Sequence, residues 1–562
     1  MFGRILLAGS LITLLSQYSE GHETAASHYD HRSSLRHIFV PAPGDARIPV
    51  DTRLEIVFDE PPALGTSGKI NVYRVSDNAL TDSIDVSEVL VSASGETQTA
   101  VPRTNTEIDA IGGSVTSIQG RARWVYYTPV TINGNTAVIK LHDGKLAHNT
   151  AYYVTMDSGV LIGTLRGVPF QSIVDPAVWT FTTGDPPSSY IDVTVAGRGK
   201  SDFRSVQGAI NWIMEHCAAG ASALFNCNTG STAKQIRIRD GVYEELLFLR
   251  GVDNLTLTGE SRRGTRIQYD NFENYNPGTG GSSVTPLVTN SDEGTGTRRR
   301  LGGGRAVLLI EGGDLVKLTR FTLSNTHVKA SGINNQAETV YYNSSNLSGS
   351  RFVATYMNFL STQDTIQTKG WAWFYRSLIQ GDVDFIWGSP FAALFEQSEI
   401  RTVVDKANPA SGGYLMQSRA FYGYPGFIVL DSRLTRQSGV PDDSTYLARS
   451  AGVGSSGFCS AQYTAGSISN ENFFCDDVAY IRTGMGQHIK AQGWLITPPP
   501  NQQPTSASGW RERFSRDLRG HRLDTSERDA TYASSSVDLD SLDTRAEVFA
   551  TWNNGEGWIP AP

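Results

Sequence analysis

Two short acidic phrases in the second half of the chain contain the residues best suited to chemistry. They are TQDT at 362–365 and DVDFIWG at 382–388, and they place Asp364 and Asp384 20 positions apart. If this interval is one coil of a repeating structure, the two carboxyl groups lie on adjacent strands, about 4.8 Å apart. Two carboxyl groups that close cannot both ionise freely, so one keeps its proton near neutral pH. The pair would then offer an acid beside an anionic nucleophile, the alternative being that both aspartates cap loops.

The repeat that would position these aspartates appears in the spacing of short β runs after about residue 190. Leu360, Ile379 and Ile400 end similar phrases at intervals of 19 and 21 residues. Such a period, without intervening helices, is typical of a parallel β-helix in which each coil contacts its neighbours. An irregular antiparallel sandwich is the alternative. Before these runs, the spacing of apolar residues predicts one amphipathic helix at Ser205–Cys217, with Val206 among the residues on its apolar face.

The preceding part of the chain has a different pattern. Short alternating runs such as Leu54–Phe58 and Tyr152–Met156 recur between residues 37 and 183, which predicts a β-sandwich. The phrases IPVDTRLEIVFDEP and VWTFTT resemble those of bacterial Ig-like domains. A polar, proline-containing stretch at 184–189 then predicts a linker. We therefore expect an all-β chain with a sandwich domain at 37–183 and a catalytic domain at 190–562.

The N-terminus has the features of a secretion signal. Arg4 precedes the apolar run Ile5–Leu15, and Ser19 and Gly21 offer a cleavage site between small residues. These features predict a signal peptide at 1–21, a flexible polar segment at 22–36 and a secreted, extracellular protein. The apolar run is too short to span a bilayer, and no other membrane span is predicted. A buried N-terminal strand is the alternative interpretation.

Length, charge and composition limit the possible classes. A chain of 562 residues exceeds the size at which a single core usually stops growing, so more than one domain is expected. Its 56 glycines and 23 prolines suit a globular, turn-rich protein. The formal net charge of -8 disfavours nucleic acid as a partner, because nucleic acid is usually met by a basic surface. A polyanionic substrate stays possible, since a cleft can differ in sign from the whole.

The four cysteines form two local pairs along the chain. Cys217 and Cys227 are close in sequence, as are Cys459 and Cys475. In a secreted chain these pairs predict two short-loop disulfides, although four cysteines allow three connectivities. Metal binding is disfavoured because no CxxC motif or histidine cluster accompanies them. We expect no metal and no organic cofactor.

Seven short motifs together resemble those of one enzyme family. They occur in the order and approximate spacing of the pectin methylesterase (pectinesterase) family, over about residues 190–500. The motifs are GVYEE at 241–245, LTLTGE at 255–260, SNT at 324–326, QAETV at 336–340, TQDT at 362–365, DFIWG at 384–388 and MQSR at 416–419. The resemblance, to a divergent secreted bacterial-type branch, implies a right-handed parallel β-helix and methyl-esterified homogalacturonan (pectin) as the substrate.

The resemblance also implies a role for each matching residue. Asp384 is similar to the family's nucleophile, which forms an acyl-enzyme anhydride, and Asp364 to its general acid and base. Gln336 and Gln363 resemble the two amide donors that stabilise the tetrahedral oxyanion. Arg449, in the phrase YLARS, resembles the arginine that holds the nucleophile ionised and oriented, which suits a planar guanidinium.

Around the arginine the sequence departs from the family pattern. Ala448 replaces a glycine, Ser450 replaces a proline, and Ala451 replaces a tryptophan that normally helps to bind the sugar. An insertion at 452–475 follows and contains both later cysteines. These changes put half of that sugar-binding subsite in doubt.

Four further residues are expected to contact the substrate. Trp494, in a later Gly-Trp pair, partly compensates for the missing tryptophan, and Trp387 and Tyr422 are further aromatic candidates for stacking on sugar faces. Thr326, in the SNT motif, completes the set. Each aromatic could instead be a core or rim residue.

Three other functions compete with pectin demethylation. Members of the divergent branch act on thioesters or short oligomers. The second is a glycoside hydrolase or lyase on the same scaffold, because closely spaced carboxylates also hydrolyse glycosidic bonds. No histidine lies between Gln336 and Arg449, which disfavours a polygalacturonase. A calcium-dependent lyase would need an acidic cluster that binds the ion. A non-catalytic sugar-binding surface protein is the third, disfavoured by the complete set of catalytic residue types. We expect a monomer.

Overall fold

The structure is a computed structural model that describes residues 37–87, 105–108, 124–217, 231–276, 304–450, 459, 474–500, 504–505, 508–534 and 542–562. The predicted signal peptide at 1–21 and flexible segment at 22–36 lie outside the described residues. Among these residues, one compact unit comprises the chain up to Ser188 together with Arg198–Gly208, and a second comprises Ser189–Gly197 and the chain from Ala209 onward. The first break falls inside the predicted linker, whereas Arg198–Gly208 groups with the first unit although it follows that linker.

The first unit is built from short strands. They are β1 (Phe39–Val40), β2 (Asp45–Ile48), β3 (Leu54–Val57), β4 (Ala63–Leu64), β5 (Lys69–Arg74), β6 (Leu80–Asp85), β7 (Asn105–Ile108), β8 (Trp124–Tyr127), β9 (Val130–Asn133), β10 (Thr136–Ile139), β11 (Ala151–Met156), β12 (Leu161–Ile162), β13 (Thr164–Leu165), β14 (Val168–Pro169) and β15 (Thr180–Thr183). One sheet has the order β1-β3-β10-β9 and another the order β2-β15-β11-β5-β6.

Alternating side chains of these two sheets share one apolar core. Leu54 and Ile56 of β3 contribute from the four-stranded sheet, and Ile70 and Val72 of β5 contribute from the five-stranded sheet. Because successive side chains of a strand point to opposite faces, the period-2 pattern seen in the sequence produces one buried face for each sheet. The unit is thus a β-sandwich, and its Ig-like character stays a prediction.

The second unit is dominated by parallel strands. They are β16 (Asp192–Val195), β17 (Lys234–Ile238), β18 (Gly241–Glu244), β19 (Leu247–Arg250), β20 (Leu255–Gly259), β21 (Thr265–Tyr269), β22 (Leu308–Glu311), β23 (Val316–Thr319), β24 (Thr322–Asn325), β25 (Val340–Asn343), β26 (Arg351–Thr355), β27 (Asn358–Leu360), β28 (Ile366–Tyr375), β29 (Leu378–Gly381), β30 (Val383–Glu396), β31 (Glu399–Thr402), β32 (Tyr414–Ser418), β33 (Ala420–Phe421), β34 (Gly426–Leu430), β35 (Arg433–Arg436), β36 (Tyr446–Arg449), β37 (Phe474–Cys475), β38 (Val478–Ile481), β39 (Gly484–Met485), β40 (Trp494–Leu495), β41 (Trp510–Arg513), β42 (Arg516–Asp517) and β43 (Ala533–Ser534).

These strands stack as a parallel β-helix. One sheet of 17 strands runs from β16 to β43, and a second of nine strands has the order β18-β21-β24-β27-β29-β31-β35-β39-β42. Every named strand pair within both sheets is parallel, as between β27 and β29 or between β29 and β31. The antiparallel-sandwich alternative is therefore excluded for this part of the chain, and the predicted fold class is confirmed.

The coil period seen in the sequence is close to the observed register. Ile379 pairs with Ile400, as the 21-residue interval predicts. Leu360, in contrast, pairs with Gln380, and the partner of Ile379 is Phe359. The prediction is wrong by one residue at this coil because Phe359 is the fully buried member of its strand, while Leu360 is only half-buried.

Three helices are present among the described residues. They are α1 (Val206–Cys217), α2 (Arg545–Val548) and α3 (Trp552–Gly555). The first confirms the predicted amphipathic helix to within one residue, and its predicted apolar residue Val206 is fully buried. No helix in the described part of the chain has the length and the apolar character needed to cross a membrane.

The C-terminal segment, which we define as Leu542–Pro562, packs against the long strands of the β-helix. Val548 and Phe549 belong to the same buried cluster as Trp371 and Trp373. Arg545 donates to both carboxylate oxygens of Glu396, at the end of β30. Apolar contact and a paired charge together attach this segment to the strand that begins beside Asp384.

Candidate active site

Asp384 lies at the start of β30, and its carboxylate is held by Arg449 at the end of β36. Arg449 Nε donates to Oδ1 at 2.8 Å and to Oδ2 at 3.1 Å, and its Nη2 also donates to Oδ2. Ile386 pairs with Met416 in β32, and Met416 pairs with Ala448 in β36. The arginine therefore reaches the aspartate across one intervening coil, and its planar fork contacts both carboxylate oxygens.

The backbone at Asp384 has an unusual conformation, and a glycine follows it where the coils come close together. Asp384 has φ of 47° and Asp364 has φ of 63°, both in the left-handed region that few non-glycine residues adopt. Four residues after Asp384, Gly388 has φ of 132°, and a Cβ there would lie 2.1 Å from the carbonyl oxygen of Thr368. The glycine of the DFIWG motif thus allows close approach of two coils directly after the aspartate.

Asp364 occupies the matching place on the preceding coil. Ile366 pairs with Ile386, and the backbone N–H of Asp364 donates to the carbonyl oxygen of Val383 at 3.1 Å. The two aspartates are therefore one coil apart, as the interval of 20 positions predicts. Both are almost completely buried, at 7% exposure for Asp364 and 5% for Asp384.

The side chain of Asp364 is bound by Arg305, a residue that the sequence did not single out. Arg305 Nη2 donates to Oδ2 of Asp364 at 2.9 Å, and its Nε donates to both carboxylate oxygens of Glu338 at 2.8 Å. Its Nη1 donates to Glu273 at 2.9 Å. One buried guanidinium therefore links three carboxylates, one of which belongs to the candidate acid.

The two aspartates differ in how strongly their protons are held. Burial and the charge of Glu338 raise the pKa of Asp364 well above its usual range, against the opposing effect of Arg305. Burial also raises the pKa of Asp384, but the bonded Arg449 lowers it. Arg449 therefore favours the ionised form of Asp384, whereas burial and Glu338 favour the protonated form of Asp364.

The two predicted oxyanion donors lie on the coil of Asp364 and on the coil before it. Gln363 directly precedes Asp364, and its carbonyl oxygen accepts from the backbone N–H of Ala337, the residue after Gln336. Within the described residues, the side-chain oxygen of Gln336 is buried and has no hydrogen-bond partner. Both glutamine side chains are half-buried. The arrangement brings Gln336, Gln363 and Asp364 to neighbouring coils, while their roles stay predictions.

Trp387 lies between two arginines. The guanidinium of Arg305 is 5.7 Å from the centre of its ring, and that of Arg419 is 5.4 Å away. Its indole N–H has no hydrogen-bond partner within the described residues. Trp387 is 8% exposed, so only a small edge of the ring is open to a substrate. Cation–π contacts of this kind hold the ring in place.

The remaining residues that were predicted to contact the substrate differ in how deeply they are buried. Trp494 is completely buried and stacks on Trp510 at 5.3 Å, so the prediction that it compensates for the missing sugar-binding tryptophan is wrong: its faces are covered by core residues. Tyr422 is 46% exposed, and Thr326 is exposed at the end of β24. For these two residues substrate contact stays a prediction.

Ser450 and Cys459, the described residues between Arg449 and β37, make a buried hydrogen bond and a disulfide respectively. Ser450, which stands where the family has proline, is fully buried and donates from its hydroxyl to Oδ2 of Asp476 at 3.0 Å. Cys459 and Cys475 form the predicted disulfide. Ala451 and most of the insertion lie outside the described residues. Cys217 is also disulfide-bonded, and its expected partner Cys227 lies outside the described residues.

Sequence reasoning missed several polar residues around the aspartates. Gln417 Nε2 donates to Oδ2 of Asp384 at 3.4 Å, and Arg419 donates to the oxygen of Gln417 at 3.3 Å. Both belong to the MQSR motif, which contributes to the family resemblance but to whose residues the sequence assigned no role. Lys329 binds Asp382 at 3.1 Å and Asp405 at 2.9 Å, in a buried group beside the site.

Metal ligation has no candidate cluster in the part of the chain that the structure describes. No group of three or more His, Cys, Asp or Glu side chains there is arranged to hold a metal ion. Metal independence stays a prediction.

Comparison with known proteins gives one significant similarity to a curated sequence. A protein named pectinesterase from Ralstonia nicotianae is 25% identical over 288 residues, which cover 49% of this chain and 66% of the relative. The chain thus spans slightly less than two thirds of that relative's length. No family model matches the chain.

Several solved structures also overlap with this one. A pectin methylesterase in complex with hexasaccharide VII is 20% identical with a TM-score of 0.45, covering 66% of this chain and 98% of that chain. A pectin methylesterase from Erwinia chrysanthemi is 21% identical, with the same TM-score and coverage. A pectin methylesterase from Yersinia enterocolitica is 22% identical with a TM-score of 0.40, covering 57% and 95%.

The sequence similarity and the predicted motifs agree on one family. The aligned relative carries the name that the seven motifs imply, and the aspartates of two of those motifs lie on successive coils. The chain is therefore similar in sequence to a pectinesterase, and its motifs resemble those of the same family.

Proposed function

We propose that this protein is a secreted carboxylic ester hydrolase that removes methyl groups from methyl-esterified homogalacturonan. The observation that carries the proposal is the pair of buried aspartates on successive coils, with the guanidinium of Arg449 on both oxygens of Asp384. The pectinesterase of Ralstonia nicotianae supports the choice of substrate. The N-terminal run Ile5–Leu15 supports secretion.

In the first half of the reaction, a carboxylate oxygen of Asp384 attacks the carbonyl carbon of the methyl ester. A new C–O bond forms, and the bond to the methoxy oxygen breaks after a tetrahedral intermediate. Asp364 gives its proton to the departing oxygen, which leaves as methanol. The side-chain amides of Gln336 and Gln363 donate to the oxyanion of the intermediate. The product is a mixed anhydride between Asp384 and the sugar carboxyl group.

In the second half, water breaks the anhydride. Asp364, now ionised, accepts a proton from the attacking water, and the released Asp384 carboxylate returns to the guanidinium of Arg449. The high affinity of Asp364 for a proton suits both halves, since the same group must give and recover one proton in each cycle. The products are the pectin carboxylate, methanol and one proton, which the newly formed carboxylic acid releases.

A second substrate class is favoured by one observation. Trp494 is completely buried, so it offers no ring face to a sugar. A site with fewer aromatic contacts would bind a long polymer less strongly and suits esters of short oligomers or thioesters. The catalytic steps at Asp384 are the same for these substrates.

The test is hydrolysis of highly methylated pectin by the purified protein, with methanol release and chain length measured together. Methanol without chain shortening supports the proposal, whereas chain shortening without methanol would favour a glycosidase or lyase. Asp384→Asn serves as the matched inactive control. Parallel assays on methylated oligomers and on a thioester separate the second substrate class from the first.

A further inference from the structure

The contacts of Arg305 distinguish this site from a simple pair of aspartates. Each of its three side-chain nitrogens binds a different carboxylate: Nε binds Glu338, Nη1 binds Glu273, and Nη2 binds Asp364. Arg305 itself is buried, at 8% exposure. A guanidinium with all its nitrogens bonded has one fixed orientation, so it can fix the position of a bonded neighbour.

The three carboxylates compete for a single positive charge. Glu273 has a side chain that is 24% exposed, so water can help to stabilise its negative charge. The side chains of Glu338 and Asp364 are only 1% and 10% exposed. Two buried anions cannot both be neutralised by one cation without a large desolvation cost, so one of them holds a proton.

The hydrogen-bond geometry decides which of the two is protonated. Arg305 Nε donates to both oxygens of Glu338 at 2.8 Å, whereas Asp364 receives one bond, at 2.9 Å to Oδ2. Within the described part of the chain, no side chain or backbone group donates to Oδ1 of Asp364. Glu338 is thus the better compensated anion, and Oδ1 of Asp364 is the place where a proton remains available to a substrate.

We propose that Arg305 and Glu338 form a positioning pair for Asp364. Arg305 fixes Oδ2 of Asp364 through a hydrogen bond. Glu338 is neutralised by the same guanidinium, so less of its positive charge compensates Asp364, which keeps a proton on Oδ1. This inference rests on the proposed function for its use in catalysis. Neither residue touches the reacting ester, so both act through Asp364.

The other charges near Asp364 agree with this assignment. Asp384 is a second anion that favours the protonated form of Asp364, and Arg449 opposes it, although Arg449 is engaged by Asp384. Burial raises the pKa of Glu338 itself, and Arg305 lowers it. Burial would lower the pKa of Arg305, but the carboxylates Glu338, Asp364 and Glu273 raise it, so the guanidinium stays charged.

The test compares Glu338→Gln with a matched control. Glutamine keeps the shape of Glu338 but frees Arg305 to compensate Asp364, so Asp364 should lose its proton at lower pH. The alkaline limb of the pH profile of kcat/KM should then move down by about 1 unit. The control is Glu311→Gln, which removes the carboxylate from another buried arginine–glutamate pair, with Arg250, and should leave the limb in place.

A second variant tests positioning. Arg305→Lys keeps the charge but cannot bind three carboxylates at once, so kcat should fall by about 10²-fold while KM changes little. A folded Arg305→Lys protein with unchanged kcat, or a folded Glu338→Gln protein with an unmoved alkaline limb, overturns the proposal. The same shift in Glu311→Gln would also overturn it.

An infrared titration separates this proposal from the proposed function. The protonated carboxyl band of Asp364, identified by its loss in Asp364→Asn, should disappear at lower pH in Glu338→Gln than in the unchanged protein. This measurement needs no turnover. If the wild-type protein is inactive on pectin but the band shifts in Glu338→Gln, pectin demethylation is refuted and the positioning pair is supported. If the protein is active and the band does not shift in Glu338→Gln, pectin demethylation is supported and the positioning pair is refuted.

Discussion

Asp364 and Asp384 occupy matching places on successive coils, yet each carboxylate binds a different arginine. Asp364 receives one bond at 2.9 Å from Arg305, which also binds other carboxylates, while Arg449 contacts both oxygens of Asp384. The second aspartate is therefore the better stabilised anion. This asymmetry supports the proposed roles, with Asp384 as the nucleophile and Asp364 as the acid.

Replacement of each aspartate by asparagine should separate these two roles. Asp384→Asn should abolish turnover, because an amide cannot form the anhydride. Asp364→Asn should reduce kcat by about 10²–10⁴-fold, the usual contribution of general acid–base catalysis. The residual rate of Asp364→Asn should rise with esters whose leaving alcohol is more acidic than methanol, since such alcohols need less protonation. The measurement is a leaving-group series on both variants.

The reverse pattern would exchange the assignments. If Asp384→Asn responds to the leaving group and Asp364→Asn does not, then Asp364 is the nucleophile. Near-normal rates in both variants would show that catalysis takes place elsewhere.

Loss of Arg449 should move the acidic limb of the activity profile. Its guanidinium lowers the pKa of Asp384 against the effect of burial, so Arg449→Met should raise that pKa further. Because attack requires ionised Asp384, the acidic limb of kcat/KM should shift to higher pH, and activity at low pH should fall most. Arg482→Met, which removes an arginine bonded to Asp431 through two nitrogens, is the control for general destabilisation. Equal loss at every pH would contradict this role.

Asp382 should make the protein less stable as the pH rises through mildly acidic values. Burial raises its pKa to about 6, although Lys329 opposes the shift. The folded state therefore binds this proton more strongly than the unfolded state between about pH 4 and 6, so the free energy of unfolding decreases as the pH rises through that window. The free energy of unfolding decreases by about 3 kcal/mol in total, because the pKa of Asp382 differs by about 2 between the folded and unfolded states.

Denaturant unfolding at several pH values checks this prediction. Asp382→Asn lacks the titrating group, so the difference in free energy of unfolding between this variant and the unchanged protein should vary across the window and become constant above it. A difference that is the same at pH 4 and pH 7 would mean that Asp382 has an ordinary pKa.

The sequence predicted the coil-to-coil relationship of the aspartates because a β-helix turns linear spacing into register. Twenty positions between Asp364 and Asp384 became one coil, and the pairing of Ile366 with Ile386 confirms it. The interpretation of Trp494, which came from a resemblance to a family motif and not from spacing, was wrong. A Gly-Trp pair near the arginine resembles a sugar-binding motif, but the ring faces the stack of core aromatics that includes Trp510. The identities of adjacent residues do not show which face of a strand points into the core when the residues on both sides are apolar.

Arg305 and Glu338 were not predicted for a different reason. Thirty-three positions separate them, and they meet because the backbone N–H of Val307 donates to the carbonyl oxygen of Glu338. A buried arginine and a buried glutamate each resemble ordinary surface residues in the sequence. Only their three-dimensional pairing shows that they compensate one another.

The sandwich unit should be dispensable for turnover. All catalytic candidates lie beyond the predicted linker, in the unit that comprises Ser189–Gly197 and the chain from Ala209 onward. A truncated chain that begins at Ser188 should retain most of the activity on soluble substrate, measured as methanol release per mole of folded protein. A folded but fully inactive truncated chain would show that the two units are functionally inseparable.

Chelation should leave the rate unchanged. The proposed steps use two aspartates, two amides and one arginine, and none of them requires a Lewis acid. The measurement is methanol release from soluble pectin before and after exhaustive treatment with a chelator. A loss of rate that one divalent ion restores would instead favour a lyase or another metal-assisted reaction.

The site draws its residues from consecutive turns of the β-helix. Gln336 precedes β25, Asp364 precedes β28, Asp384 lies in β30, Gln417 in β32 and Arg449 in β36. In such a stack each coil contacts only its neighbours, and opening can begin at one end and spread. If these residues act as proposed, turnover requires an unbroken column of at least five layers. A molecule that frayed from its C-terminal end past β36 would lose catalysis while its earlier layers were still folded, so enzymatic activity would report partial melting before optical signals of unfolding do.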